Sequence, residues 1–225
     1  MRIVIDGRVV GDFPGLRVLA VLMENLKVAA KNPELESLMA KVIEEVKSKY
    51  NIETLKDVLS VRAYRDFFWK IGLDPTKNRP SAEALIRRAL LGNPLPRINT
   101  FVDSLNIASI RSEVAISSFD ADKIFGEKII IRYAREGEEF CGIGVSKLVV
   151  MKGCEIVLSD DNGLIAVYPY RDSERTKITK ETRRAVLVFC GVPGVGTSML
   201  SRAMNIAVDL ITKFCGGTAM PMEVE

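Results

Sequence analysis

The segment from residue 79 to residue 120, RPSAEALIRRALLGNPLPRINTFVDSLNIASIRSEVAISSFD, places polar side chains densely among apolar ones and organises the fold prediction. Pro80 keeps its predecessor out of the α region, so a helix is predicted to begin at Ser81, which can cap it. Gly92-Asn93-Pro94 ends this helix, because Gly or Asn takes the left-handed cap and Pro cannot continue. A second helix is predicted from 99 to 110, where apolar residues follow helical spacing.

On this second helix, polar side chains recur along one side. Asn99, Asp103 and Asn106 stand at i, i+4 and i+7, so they share one face. Such a face is either a solvated flank or the polar wall of a pocket, and spacing alone does not choose between the two.

The rest of the chain predicts an α+β protein with mixed, largely antiparallel sheets and flanking helices. After residue 127 short β-rich runs follow closely on one another, which favours antiparallel or mixed pairing. The predicted strands are 128–133, 139–145, 147–151, 155–159, 164–168 and 186–190, followed by an apolar helix at 197–214.

The first 78 residues are predicted to pack on a core formed by residues 79–225, and the two parts together make one compact unit. Asp6-Gly7 is a strong turn pair, so residues 1–10 are predicted to form a hairpin. A buried strand at 16–23 and helices at 33–49 and 52–71 follow. The second of these helices carries Arg62, Tyr64, Arg65 and Trp69, a mixture that either stacks on RNA or anchors the helix at the edge of the core.

Charge and composition limit the chemistry. The chain of 225 residues has 32 basic and 29 acidic side chains, a balance too even to indicate a nucleic-acid partner by itself. The segments 61–111 and 171–184 are both locally basic. The absence of histidine excludes Ser-His-Asp and Cys-His catalysis and His-based zinc sites, so chemistry must use carboxylates, hydroxyls, Lys, backbone amides or the substrate itself.

The four cysteines, Cys141, Cys154, Cys190 and Cys215, are too widely spaced for a Cys-x-x-Cys metal site. They are predicted to be buried free thiols, and neither a metal nor a cofactor is expected. The sequence has no apolar run of membrane-spanning length and no signal-peptide pattern, which predicts a cytoplasmic protein with no membrane association.

The run from Gly191 to Ser198 follows the spacing of a phosphate-binding P-loop, but Thr197 stands where that motif has lysine. Nucleotide hydrolysis is therefore disfavoured. An anion site at the helix N-terminus and a plain strand-to-helix turn both remain open, and the turn is favoured.

The run 168–182, YPYRDSERTKITKET, is rich in side chains that bond phosphates. Arg171, Arg175 and Thr176 beside Tyr168 and Tyr170 are typical of an RNA backbone and stacking surface, and the alternative is a solvated surface. Among the carboxylates, capping and turn roles explain Asp120 and Asp160-Asp161, which leaves Asp103 as a site candidate.

Three phrases in order, PLPRINTFVDSLNIAS, FDADKIFGEKIIIRYAREGEEF and LSDDNGLIAVYPYRDSERTKITKET, resemble the B3/B4 domain of the phenylalanyl-tRNA synthetase beta subunit, in free-standing form. The resemblance runs from about residue 79 to residue 190. It implies a pocket between two intertwined halves that hydrolyses wrongly attached tyrosine from tRNA. In such a pocket backbone groups and the terminal adenosine of the substrate position the water, which suits a chain without histidine. The positions that match the family phrases are Asp103, Asn106, Asp120, Arg132, Asp160, Glu181 and Thr182.

Departures from the family pattern concern tyrosine specificity. Ser117 stands where the bacterial pocket has a histidine, and Val188 falls near the glutamate that reads the tyrosine hydroxyl. The Gly-Gly-Glu segment of the family becomes Asp172-Ser173-Glu174. The resemblance therefore does not carry tyrosine specificity over to this chain.

The resulting hypothesis is a tRNA-binding hydrolase that removes a mischarged amino acid from tRNA in trans, without an assigned catalytic residue. The alternative is a non-catalytic module of the same fold that binds RNA, a small amino acid or a protein. The side chains predicted to face the amino acid are Asn99, Asp103, Asn106, Ser109, Ser117 and Ser118. Those predicted to hold RNA phosphates are Arg79, Arg87, Arg88, Arg171, Arg175 and Thr176.

Overall fold

The computed structural model describes residues 1–145 and 147–225, and it confirms the predicted α+β class. The strands are β1 Arg2–Ile5, β2 Arg17–Glu24, β3 Ala115–Asp120, β4 Lys128–Tyr133, β5 Glu139–Phe140, β6 Val149–Val150, β7 Ile156–Asp160, β8 Gly163–Val167, β9 Arg171–Asp172, β10 Ala185–Gly191 and β11 Thr218–Pro221. A five-stranded sheet has the order β1-β4-β7-β8-β9, a four-stranded sheet has the order β11-β2-β10-β3, and β5 and β6 form a separate pair. Among these strands, β1 and β4 pair in parallel and the other pairs are antiparallel.

Six α-helices in the described residues flank these sheets. The 33–49 helix has the predicted bounds, because Asn32 caps it by accepting a hydrogen bond from the Leu35 amide and Pro33 occupies its first turn. None of the described helices combines the length and the apolar character needed to cross a membrane. The helices are α1 Gly7–Asp12, α2 Pro33–Lys49, α3 Leu59–Lys70, α4 Ser81–Leu90, α5 Thr100–Ser112 and α6 Thr197–Cys215.

Strand β10 is the centre of the four-stranded sheet. All seven of its residues are buried, which explains its uninterrupted apolar sequence AVLVFCG. It pairs with β2 on one side and β3 on the other, so Val188 lies opposite both Ala20 and Ser117. The N-terminal part of the chain thus supplies a strand to each large sheet.

The predicted N-terminal hairpin is wrong. Asp6 does not open a hairpin turn; its side chain accepts a hydrogen bond from the Arg8 amide at 2.9 Å and caps α1. An Asp-Gly pair suits a helix start as well as a turn, and burial of Val9 favours the helix here. Strand β1 instead pairs in parallel with β4, with Ile3 opposite Ile129. The boundary at residue 78 stays a prediction.

Several local predictions are also corrected. The single helix predicted at 52–71 is divided into a 3-10 turn at Leu55–Asp57 and α3. Pro80, not Ser81, is the cap position of α4, and no side chain caps it. Cys154 is exposed, and Cys141 is half-buried. The strands predicted at 139–145 and 147–151 shrink to two residues each, and residue 146 lies outside the described part of the chain.

Candidate functional site

The two polar segments of the sequence, 99–120 and 168–182, lie side by side. The Ser118 amide donates a hydrogen bond to Asp172 Oδ2 at 3.0 Å, across the gap between β3 and β9. Further along, the Asp120 amide donates to the Thr176 carbonyl at 2.8 Å. The first contact joins the edge strands of the two large sheets, and the second joins β3 to the segment that follows β9.

A buried polar cluster forms where these strands meet. Burial raises the pKa of Asp172 to about 6, although hydrogen bonds from the Ser118 amide and the Ser117 side chain favour its charged form. The Cys190 thiol lies 3.8 Å from Ser117 Oγ, and burial raises its pKa to about 12. Cys190 is therefore a protonated thiol and not a nucleophile at neutral pH.

The predicted amino-acid-facing residues on α5 are largely occupied by local structure. Asn99 caps α5 by accepting from the Val102 amide at 2.9 Å. Asp103 accepts from the Ile98 amide at 3.0 Å, and burial raises the pKa of its carboxyl group. Ser109 donates to the Val114 carbonyl at 2.7 Å, while Asn106 is half-buried. The cavities described below are not lined by these side chains, nor by Ser117 or Ser118.

Four of the six predicted phosphate-binding residues come together on the surface. They line a cavity of about 370 Å³ between α4 and β9, which we call the basic groove. Within the described residues none of these four arginines forms an ion pair, so their charge is available to a ligand. The groove is lined by Lys77, Asn78, Arg79, Ala84, Arg87, Arg88, Leu91, Tyr170 and Arg171.

Arg171 is held in place at the groove by an aromatic neighbour. Its guanidinium carbon lies 5.1 Å from the centre of the Tyr170 ring, and Nη2 donates to the Tyr170 hydroxyl at 3.2 Å. The Tyr170 hydroxyl in turn donates to Asn78 Oδ1 at 2.8 Å. This chain of contacts fixes a cation and an aromatic ring at one edge of the groove.

Arg175 and Thr176 do not line the groove, so the structure does not bring them together with the other four predicted phosphate-binding residues. Arg175 forms a two-pronged ion pair with Asp160, at 2.8 and 3.0 Å, and also donates to the Lys123 carbonyl. Thr176 is fully buried, and its hydroxyl has no hydrogen-bond partner among the described residues. Arg175 is therefore committed to Asp160, and Thr176 is enclosed in the interior.

An apolar pocket adjoins the basic groove and shares Tyr170 and Arg171 with it. Its volume is about 130 Å³. At Gly142 a Cβ atom would lie 2.5 Å from Arg171 Cδ and 3.0 Å from Phe140 Cε1, so any larger residue would displace the Arg171 side chain. The other residues that line the pocket are Leu73, Phe140, Val145, Val149, Met151, Glu155 and Val167.

Sequence reasoning missed this apolar pocket because its walls come from separate segments. The available signal was the apolar run at 148–151 in a hairpin, where Val149 remains 46% exposed. An exposed apolar strand beside a cationic groove indicates a binding surface.

The P-loop-like run is a strand-to-helix turn. A Cβ at Gly191 would lie 2.7 Å from the Arg17 carbonyl oxygen, and Gly194 has a φ of 99°. Val192 and Val195 are buried beneath the turn. Packing and backbone geometry therefore account for Gly191 and Gly194 without a nucleotide. No cluster of three potential metal-ligating side chains occurs in the described ranges.

Fold and site together define an α+β protein whose two sheets meet beside a cationic groove and an apolar pocket. The chain belongs to the B3/4 domain family, whose model matches residues 63–216. This match confirms the family resemblance seen in the sequence.

Beta subunits of phenylalanine–tRNA ligase from several bacteria are similar in sequence to this chain. The subunit from Bartonella henselae is 25% identical over 150 residues, covering 56% of this chain and 18% of that protein. The subunit from Fusobacterium nucleatum is 28% identical over 157 residues, covering 59% of this chain and 19% of that protein. The matched region thus spans about a fifth of these relatives' length.

Among solved structures, an N-terminal fragment of the phenylalanyl-tRNA synthetase beta subunit from Pyrococcus horikoshii matches with a TM-score of 0.55. It is 16% identical, and the match covers 100% of this chain and 51% of that one. At this identity the likeness shows the fold alone.

Proposed function

We propose that this protein binds the aminoacylated end of a tRNA and hydrolyses a mischarged aminoacyl ester in trans. The observation that carries the proposal is the adjacency of the basic groove and the apolar pocket, which share Tyr170 and Arg171. An aminoacyl-tRNA places a polyanion next to an amino-acid side chain, so it matches both surfaces at once. The named relatives, subunits of a tRNA ligase, support the same class of ligand.

The basic groove would hold the RNA backbone. Arg87 and Arg88 lie in the last turn of α4, and Arg171 faces them from β9. Arginines without ion-pair partners bind phosphates by charge and by paired hydrogen bonds, and Tyr170 adds a ring on which a base can stack. Binding of this kind weakens steeply as salt concentration rises.

The apolar pocket would receive the amino-acid side chain. Leu73, Phe140 and Met151 give it an apolar wall, which favours an apolar side chain over a hydroxylated one. The residue near the family's hydroxyl-reading glutamate is Val188, which is buried in β10 and does not line this pocket. The apolar wall supports an apolar amino acid as the group released.

Hydrolysis would use a water held by backbone amides and hydroxyl groups, with the same amides stabilising the charge that develops on the ester oxygen. A side-chain nucleophile is not required for this reaction. Such a mechanism accords with the absence of histidine and with the high pKa of Cys190.

A panel of tRNAs, each carrying a wrong amino acid, tests the proposal. We expect release above the buffer rate for at least one apolar amino acid, and slower release after Arg87→Ala with Arg88→Ala. Absence of release for every pair, together with absence of tRNA affinity, would overturn it.

One observation favours the alternative, a non-catalytic module of the same fold. Asn99, Asp103 and Ser109 are all hydrogen-bonded within the chain, so fewer free polar groups remain to activate water than the sequence indicates. Tight tRNA binding without release in the same panel would support this alternative.

A further inference from the structure

A second cationic cavity lies on the other side of α4, between that helix and α3. Its volume is about 430 Å³, within the range of small-molecule sites. Arg79 and Arg87 line this cavity as well as the basic groove, so the two cavities adjoin at these side chains. We call it the Glu83 cavity; its lining residues are Ile52, Glu53, Leu55, Lys56, Arg65, Thr76, Arg79, Glu83 and Arg87.

Glu83 is a buried carboxylate with only one of its two oxygens hydrogen-bonded. The residue is 3% exposed, and its Oε1 accepts a hydrogen bond from Arg65 Nη1 at 2.8 Å. Its Oε2 is buried and has no hydrogen-bond partner among the described residues. A buried, unpaired carboxylate oxygen is costly to maintain, so a hydrogen-bond donor from a ligand is the expected partner.

The charges around Glu83 limit the chemistry of such a ligand. Lys56, Arg79 and Arg87 line the same cavity and form no ion pair within the described part of the chain. Burial raises the pKa of Glu83, and the charges of Arg65, Arg79 and Arg87 oppose that rise by favouring the carboxylate. A simple amine ligand would be repelled by these cations. A nucleotide is favoured instead, because it presents hydrogen-bond donors on its base and negative charge on its phosphate.

Among the four RNA bases, guanine fits a carboxylate best. Its Watson–Crick edge presents N1–H and N2–H side by side, whereas adenine, cytosine and uracil each place a lone pair next to the donor. Unpaired bases are commonly read on this edge and stacked on guanidinium planes, which Arg79 and Arg87 can supply.

We infer that the Glu83 cavity reads an unpaired guanosine of the bound RNA through the Glu83 carboxylate. The inference rests on the RNA binding proposed above and adds base specificity at a site distinct from the apolar pocket. Guanine N1–H would bond Oε2, and N2–H would bond the second lone pair of Oε1, whose first lone pair accepts from Arg65. Arg65 would act as a positioning residue, since its ion pair with Oε1 fixes the plane of the carboxylate.

Short labelled RNAs test the inference by fluorescence anisotropy with the full chain. Single strands of about eight nucleotides suit a groove of this kind; one is all uridine, one has a central guanosine, and one has inosine there. We expect the guanosine strand to bind about tenfold more tightly than the uridine strand, as a hydrogen bond to a charged group allows. Inosine lacks the N2 amine, so it should lose part of this preference with the unaltered protein.

Two variants with the same change of charge separate base reading from general attraction. Glu83→Gln puts an amide donor in the cavity and should abolish the guanosine preference. Glu53→Gln lies on the exposed rim of the same cavity and should keep it.

Equal affinity of the unaltered protein for guanosine, inosine and uridine strands would overturn base reading while leaving RNA binding intact. Absence of binding to any strand and to tRNA at low salt would overturn the proposed function as well.

Discussion

In the sequence, the polar side chains of α5 and the arginines around α4 look equally suited to a binding site. In the structure, the side chains of α5 are engaged in local hydrogen bonds, whereas the arginines remain available to a ligand. Asn99, Asp103 and Ser109 bond backbone groups within a few residues of their own positions. Arg87 and Arg171 extend to the surface without ion-pair partners in the described part of the chain. Short polar side chains near helix ends are satisfied by the backbone, whereas long cationic side chains reach past it.

The largest expected effect concerns the arginines. Replacing Arg87, Arg88 and Arg171 together with Ala should lower tRNA affinity by about a hundredfold near physiological salt, because phosphate contacts and the counterion release that accompanies them are lost. The salt dependence of binding should also decrease. Anisotropy titrations at several salt concentrations measure both quantities. The melting temperature should change little. A large drop in melting temperature would show that these arginines stabilise the folded state instead of binding RNA.

Next in size is the pH dependence due to Asp172, the neighbour of Arg171. Burial raises its pKa from 3.8 to about 6, so the folded state favours the protonated form. Its contribution to stability is fully present below the unfolded pKa and is lost as the pH rises through 6. At roughly 1.4 kcal/mol per pKa unit, the loss between pH 4 and pH 7 is on the order of 2 kcal/mol.

Asp172→Asn tests this by urea unfolding across that pH range. The difference in free energy of unfolding between the two proteins should vary with pH in this window, while tRNA affinity at pH 7 stays unchanged. A pH-independent difference would contradict the raised pKa of Asp172.

A smaller effect is expected at the helix cap. Asn99→Ala should lower the free energy of unfolding by about 1 kcal/mol, since it removes the cap that accepts from the Val102 amide. Urea unfolding measures the change, and tRNA affinity serves as the second readout. A loss of tRNA affinity without a loss in the free energy of unfolding would show that Asn99 contacts the RNA or its amino acid.

The smallest effect is predicted for Thr176. Because its hydroxyl is buried and unpaired, Thr176→Val should change the free energy of unfolding by less than about 1 kcal/mol, and in the stabilising direction. Thr176→Ser retains the hydroxyl and is the matched control. Weaker tRNA binding by the Val variant alone would support the phosphate contact predicted from the sequence.

Periodicity and capping signals predicted much of the fold. The bounds of α2 follow from Asn32 and Pro33, and the strand at 128–133 has its predicted ends. The prediction of an N-terminal hairpin was wrong because an Asp-Gly pair starts a helix as readily as a turn. Burial of Val9 and the parallel pairing of β1 with β4 decide the outcome, and both depend on residues far along the chain.

The site was predictable only in part, for a related reason. The basic character of 79–88 and of Arg171 is visible locally, and these residues do share a groove. The apolar pocket combines Leu73, Phe140 and Val167 from separate segments, so no local pattern reveals it. Glu83 resembles an ordinary acidic residue in the first turn of a helix until its burial is known.

The most direct test of the account compares one tRNA in two forms, uncharged and carrying an apolar amino acid through a stable amide bond. The account predicts that the aminoacylated form binds about tenfold more tightly, as burial of one apolar side chain allows. Val149→Glu, which places a charge at the exposed edge of the apolar pocket, should remove that difference and leave binding of uncharged tRNA unchanged. Equal affinity for the two forms, or a preference that survives Val149→Glu, would contradict it.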